Sequence, residues 1–154
     1  MRVDSVYKNT RLIIKSRENI LAQKKPSFGI DRITYSVLLH SFTETEGKDY
    51  FKFNKSVAPI QLGIYPLLNK EGLRKIAQEL TETLRMAGFT VEYDVSGTIG
   101  KRYARADEIG IPLAITVDFD TLEDNQVTVR DRDSEAQERI PIDELNDYLE
   151  KYYK

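Results

Sequence analysis

The densest run of residues suited to chemistry is Ser96-Gly97-Thr98-Ile99-Gly100-Lys101-Arg102-Tyr103-Ala104-Arg105. Glycines let backbone amides approach a ligand, a helix start adds partial positive charge, and Lys101, Arg102 and Arg105 bring three cations within five residues. Such a string suits a phosphate or RNA-backbone cradle. It also suits a glycine-rich helix entry whose basic residues are solvated and partly balanced by Asp107 and Glu108. It is neither a nucleotide-hydrolase phosphate loop nor a dinucleotide fingerprint, because Gly-x-x-x-x-Gly-Lys-Ser/Thr and Gly-x-Gly-x-x-Gly are both absent.

A second group is Arg130-Asp131-Arg132-Asp133, with Arg139 beyond it and Asp118 and Asp120 at the end of an apolar run. An arginine fork can donate to guanine acceptors, and a carboxylate can accept from the cytosine amino group. Phe119 offers a stacking face to an unpaired base. The other reading is a set of alternating ion pairs across a hairpin, which are common and weak. His40, among Leu38, Leu39 and Phe42, has no partner at a catalytic spacing, and the scattered carboxylates form no acid–base pair.

The absence of cysteine excludes a disulfide scaffold, a thiol nucleophile and cysteine-ligated metal sites. A single histidine excludes any site built on two imidazoles. With 154 residues, 40% hydrophobic, the chain can bury a core of its own, and 23 basic against 25 acidic residues leave a net charge of −2. No apolar stretch approaches the roughly 20 residues of a membrane span, and no secretory signal opens the sequence, so a cytosolic location is expected.

These residues need a scaffold, and periodicity supplies one. Arg11 to Lys15 is a short strand candidate, and Ile33, Val37, Leu38 and Phe42 share one side of a helix preceded by a strand or turn. Residues 47–56 read as a connector. Residues 61–66 form a short buried strand, and Leu73, Ile76, Ala77, Leu80, Leu84 and Ala87 form an amphipathic helix closed by Gly88. A strand over 89–93, a helix over 98–109 stopped by Gly110 and Pro112, and a central strand over 113–119 follow. This is an α/β layout with parallel strands joined by right-handed crossovers. Strands over 126–130 and 137–140, linked by the charged turn 131–135, and a helix over 142–153 complete it.

From Val57 to about Leu149 the chain resembles the anticodon-binding domain of archaeal and eukaryotic glycyl-tRNA synthetases. The matches are Val57-Ala-Pro59, the string from Ser96 to Pro112, Thr116-Val-Asp-Phe-Asp-Thr-Leu122 and Thr128-Val-Arg-Asp-Arg-Asp-Ser134. Upstream, Pro26-Ser-Phe-Gly-Ile-Asp-Arg32 resembles motif 3 of class II synthetases. The resemblance implies a mixed five-stranded sheet flanked by helices over 57–154, and a motif 3 strand, helix and connector over 1–56. It implies tRNA contacts, with Lys101, Arg102 and Arg105 on phosphates and Arg130, Asp131 and Arg132 on bases, Phe119 stacking. It further assigns Arg32 to ATP and Ser27 to the glycine substrate.

Two departures bear on catalysis. Motifs 1 and 2 do not fit into the 25 residues before Pro26. Lys25 stands where the family has a glutamate that binds the substrate amine, and two like charges 4 Å apart cost on the order of 4 kcal/mol. The resemblance therefore implies recognition of glycine tRNA by a chain that is not catalytic alone and holds no cofactor. ATP and Mg belong to the parent enzyme. The expected partners are tRNA and a catalytic body or a second copy, with neither membrane nor DNA. The alternative is a module for protein–protein assembly, as in the accessory subunit of the mitochondrial DNA polymerase, which resembles the same synthetase.

Overall fold

The computed structural model describes residues 29–45 and 47–154. The strand candidate at Arg11 to Lys15, the segment feeding the first helix, Lys25 and Ser27 lie outside these residues. Helix α1 spans Ile30–Ser41 and carries Arg32 on its exposed surface. Ser36–Lys154 forms one compact unit.

Residues 47–56 are more than a connector. Strands β1 (Phe42–Thr45) and β2 (Lys48–Phe51) pair antiparallel, with Phe42 opposite Phe51. The polar sequence hid this hairpin, whose strands are only half covered. Its aromatic residues are its anchor: Phe51 stacks on buried Phe53 with ring centroids 5.1 Å apart.

The main sheet has the order β4-β3-β5-β6-β7. Strands β3 (Leu62–Pro66), β4 (Val91–Tyr93) and β5 (Leu113–Val117) are mutually parallel around β3. Strands β6 (Gln126–Asp131) and β7 (Gln137–Pro141) continue it antiparallel, so the expected mixed five-stranded sheet is present. Alternation along each strand sends Leu62, Ile64, Leu113, Ile115, Val117, Val127 and Val129 to one face. Helix α2 (Glu71–Met86) covers that face with Leu73, Ala77, Leu80 and Leu84. Each of these leucines stabilises the fold by about 1.5–3 kcal/mol on burial. After a short helix α4 (Thr121–Asp124) and a 3-10 turn (Ile142–Glu144), helix α5 (Leu145–Tyr153) adds Leu145 and Leu149 to the same face.

Helix α3 (Ile99–Ile109) covers the other face, where Ala106 meets Tyr65, Ile111 and Ala114. Its ends are set by sequence. Thr98 accepts the Lys101 N–H at 3.4 Å, and Gly110 closes the helix at φ 84°, with the Ile111 N–H returning to the Ala106 carbonyl at 2.9 Å. Gly110 is required twice over, because a Cβ there would sit 2.3 Å from the Phe53 ring. Gly110→Ala is expected to lower unfolding stability by about 2–4 kcal/mol, from the left-handed backbone and the clash together, in a urea titration.

Candidate nucleic-acid interface

Order β4-β3-β5 makes the chain leave β3 toward one side of the sheet and β5 toward the other. In open α/β sheets the usual ligand position is the crevice outside the carboxyl ends of such strands. Three loops border that position: residues 67–70 after β3, 94–98 after β4 and 118–120 after β5.

The string from Ser96 to Arg105 shapes one wall. Asp94 accepts the Ser96 N–H at 2.7 Å and pairs with Arg105, which also donates to the Ser96 carbonyl at 2.6 Å. Partial burial works to raise the Asp94 pKa, but the bond from Arg105 and the Ser96 N–H outweigh it and hold the carboxyl below its usual range. Lys101 is exposed, and Arg105 is partly so. Arg102 is not: only 2% exposed, it donates to the carbonyls of Pro66, of Gly97 at 3.1 Å and of Leu67 at 3.4 Å. It is a strut between the loops after β3 and β4, with its guanidinium turned to backbone where a phosphate had been expected.

Phe119 lies at the crevice, exposed, with the Lys70 ammonium 4.8 Å from its ring centroid. Asp118 anchors that loop. It accepts the Thr121 N–H and hydroxyl at 3.0 and 2.9 Å and pairs with Arg139 at 2.9 Å. Burial pushes its pKa up, but the bonds from Thr121 and the charge of Arg139 bring it below the usual value.

Arg130, Asp131 and Arg132 lie at the opposite end of the sheet, since Asp131 pairs with Leu113, the first residue of β5. A five-residue strand separates the two ends by roughly 15 Å. Arg130 is 7% exposed and makes a two-pronged pair with Asp107 of α3 at 3.1 and 3.3 Å, beneath a Tyr103 ring 5.0 Å away. Lys48 reaches the same carboxylate at 2.7 Å. Arg132, 6% exposed, donates to the carbonyls of Gly110 (2.9 Å), Phe53 (3.0 Å) and Phe51 (3.2 Å), pinning the hairpin to the end of α3. Asp131 spends one oxygen on the Asp133 and Ser134 turn and the other on the Tyr152 hydroxyl at 3.0 Å. Burial raises its pKa, and these donors lower it further than burial lifts it.

The two sequence groups therefore do not converge on one surface. Lys101 and Phe119 are exposed at the carboxyl ends of the strands and Arg105, partly exposed beside them, is paired with Asp94, whereas Arg102, Arg130, Asp131 and Arg132 use their polar atoms within the fold. The expected charge alternation across the β6-β7 hairpin is replaced by pairing to α3: the partner of Arg130 is Asp107, with Glu135 of the turn also within 3.2 Å. Sequence reasoning missed Lys70, which reads as the residue before a helix. Nothing in its linear spacing signals the ring it covers.

A family model described as "Anticodon binding domain" matches residues 60–152, and the chain belongs to that family. Its curated relatives include the glycine–tRNA ligase of Methanocaldococcus jannaschii, 50% identical over 96% of this chain and 26% of the relative. That of Aeropyrum pernix is 50% identical over 83% of this chain and 22% of the relative. The chain thus spans about a quarter of the length of the curated relatives it matches. Among solved structures, a prolyl-tRNA synthetase from Cryptosporidium parvum superposes with TM-score 0.63 and 29% identity, over 67% of this chain and 22% of that one. The RNA-binding domain of a threonyl-tRNA synthetase from the same species shares the fold, with TM-score 0.60 and 24% identity over 65% of this chain and 25% of that one.

Asp107 and Arg130 are both buried, so removing one leaves an uncompensated charge inside. Asp107→Ala is expected to destabilise the chain by about 3–5 kcal/mol in chemical denaturation, far more than the loss of an exposed pair such as Arg85 with Glu82.

Proposed function

We propose that this chain recognises the anticodon arm of glycine tRNA as the C-terminal part of a glycyl-tRNA synthetase. A catalytic body beyond this chain would carry out the ATP-dependent attachment of glycine. There the motif 3 resemblance assigns Arg32 to ATP and Ser27 to the amino acid. The observation that carries the reading is the exposure of Lys101 and Phe119 at the carboxyl ends of β3, β4 and β5, in a chain about half identical to glycine–tRNA ligases. An unstacked base has an aromatic face in Phe119, and its phosphates have cations in Lys101 and Arg105. Arg102, Arg130, Asp131 and Arg132 act one step back, by holding the loops, α3 and the hairpin in place. A second copy of the chain remains a candidate partner alongside the catalytic body.

The test is binding of this chain to glycine tRNA and to the same tRNA with a changed anticodon, at two salt concentrations. Tighter binding to the glycine anticodon is expected, weakening as salt rises because each neutralised phosphate releases counterions. Lys101→Gln is expected to reduce the log–log salt slope by about 0.7. Equal or absent binding to both RNAs would overturn the reading and direct the search to a protein partner.

A further inference from the structure

The exposed cations at the crevice do not end with α3. Lys70 stands at the entry to α2 and covers one edge of the site by holding its ammonium 4.8 Å from the Phe119 ring centroid. Arg74 follows one turn on, its N–H bonded to the Lys70 carbonyl at 2.9 Å. Among the described residues, Lys75 is drawn to Glu79 at 3.9 Å, whereas the Arg74 guanidinium has neither a hydrogen bond nor an ion pair. Arg74 lines a shallow groove with Asn69, Glu71, Lys75 and Gln78. Leu68, in the loop before α2, and Leu122, in α4, are 46% and 52% exposed. Leu122 comes within 4.0 Å of where a Cβ on Gly72 would stand, which sets α4 against the first turn of α2.

We propose that the RNA path crosses the carboxyl ends of the strands from α3 onto α2, where Lys70 and Arg74 take two further phosphates and Lys70 holds the Phe119 ring ready for a base. This rests on the RNA-binding reading above and extends it to a helix that the sequence groups do not include. The chemistry is that of a single-stranded nucleic-acid site: an aromatic face, apolar flanks and cations at the spacing of a backbone. A cation already seated over the ring costs less ordering when a base arrives. The carboxylates at the same end, Glu71, Asp120 and Glu123, do not suit phosphates, but they can accept from base amino groups. Those groups choose a base, while Lys70 and Arg74 bind any sequence that presents its backbone.

The experiment measures binding of the full chain to the anticodon stem–loop RNA of a glycine tRNA by fluorescence anisotropy across a potassium chloride series. Lys70→Gln and Arg74→Gln are each expected to lower the log–log salt slope by about 0.7 and to weaken binding at every salt concentration. Lys70→Arg is expected to keep the wild-type slope, as is Lys151→Gln on the exposed side of α5. A thermal melt of each variant confirms folding, since all these positions are exposed. If Lys101→Gln lowers the slope while Lys70→Gln and Arg74→Gln do not, the α2 path is wrong and the parent reading survives. If the unaltered chain does not bind the stem–loop, both are overturned.

Discussion

A guanidinium leaves water at a cost that falls as acceptors replace the water on its five donors. Among the described residues Arg102, Arg130 and Arg132 are taken inside, and the second face of the sheet gives most of their donors acceptors, the Arg102 Nε being left without one. Arg130 finds Asp107 on α3, and Arg132 finds three carbonyls, from the end of α3 and from the hairpin. Arg102 finds the carbonyls at the carboxyl ends of β3 and of the loop after β4. The acceptors lie on α3 and its cap, on the hairpin and the segment after it, and on the loops after β3 and β4, so satisfying the charges ties these parts together. The first face has no such constraint. There α2 and α5 pack mainly leucines on the sheet, and α5 adds hydroxyl bonds from Tyr152 to Asp131 and from Tyr153 to the Gln61 carbonyl.

This division explains how function is distributed. Of the buried arginines, Arg130 and Arg132 sit at the amino end of β5 and Arg102 at the carboxyl end of β3, the end where Lys70, Lys101 and Phe119 are exposed. Arg102 ties the loop after β3 to the loop after β4. A preformed surface of this kind loses less freedom when a flexible RNA loop settles on it.

The apolar periodicity was enough to read most of the scaffold. Leu73 to Leu84 repeats at three and four residues because one helical face is buried, and residues 113–117 are apolar save Thr116 because both sheet faces are covered. The hairpin escaped because Lys48 and Asp49 face solvent or a charged partner and leave no alternating apolar pattern. Helix α4, four residues long, is too short to show a period. In the proposed site, residue type and helix position single out Lys101, Arg105 and Phe119, of which Lys101 and Phe119 are exposed. The burial of Arg102, Arg130 and Arg132 could not, because their acceptors are mostly backbone carbonyls or a carboxylate on another element, which linear sequence does not bring together.

The central claim is that RNA lies on the carboxyl ends of the parallel strands while the Arg130-Asp131-Arg132 end is structural. Amide hydrogen exchange, followed with and without the anticodon stem–loop of a glycine tRNA, tests it most directly. The account predicts slowed exchange in residues 67–70, 94–101 and 118–122, with residues 130–135 unchanged. Protection confined to residues 130–135 and the hairpin would contradict it.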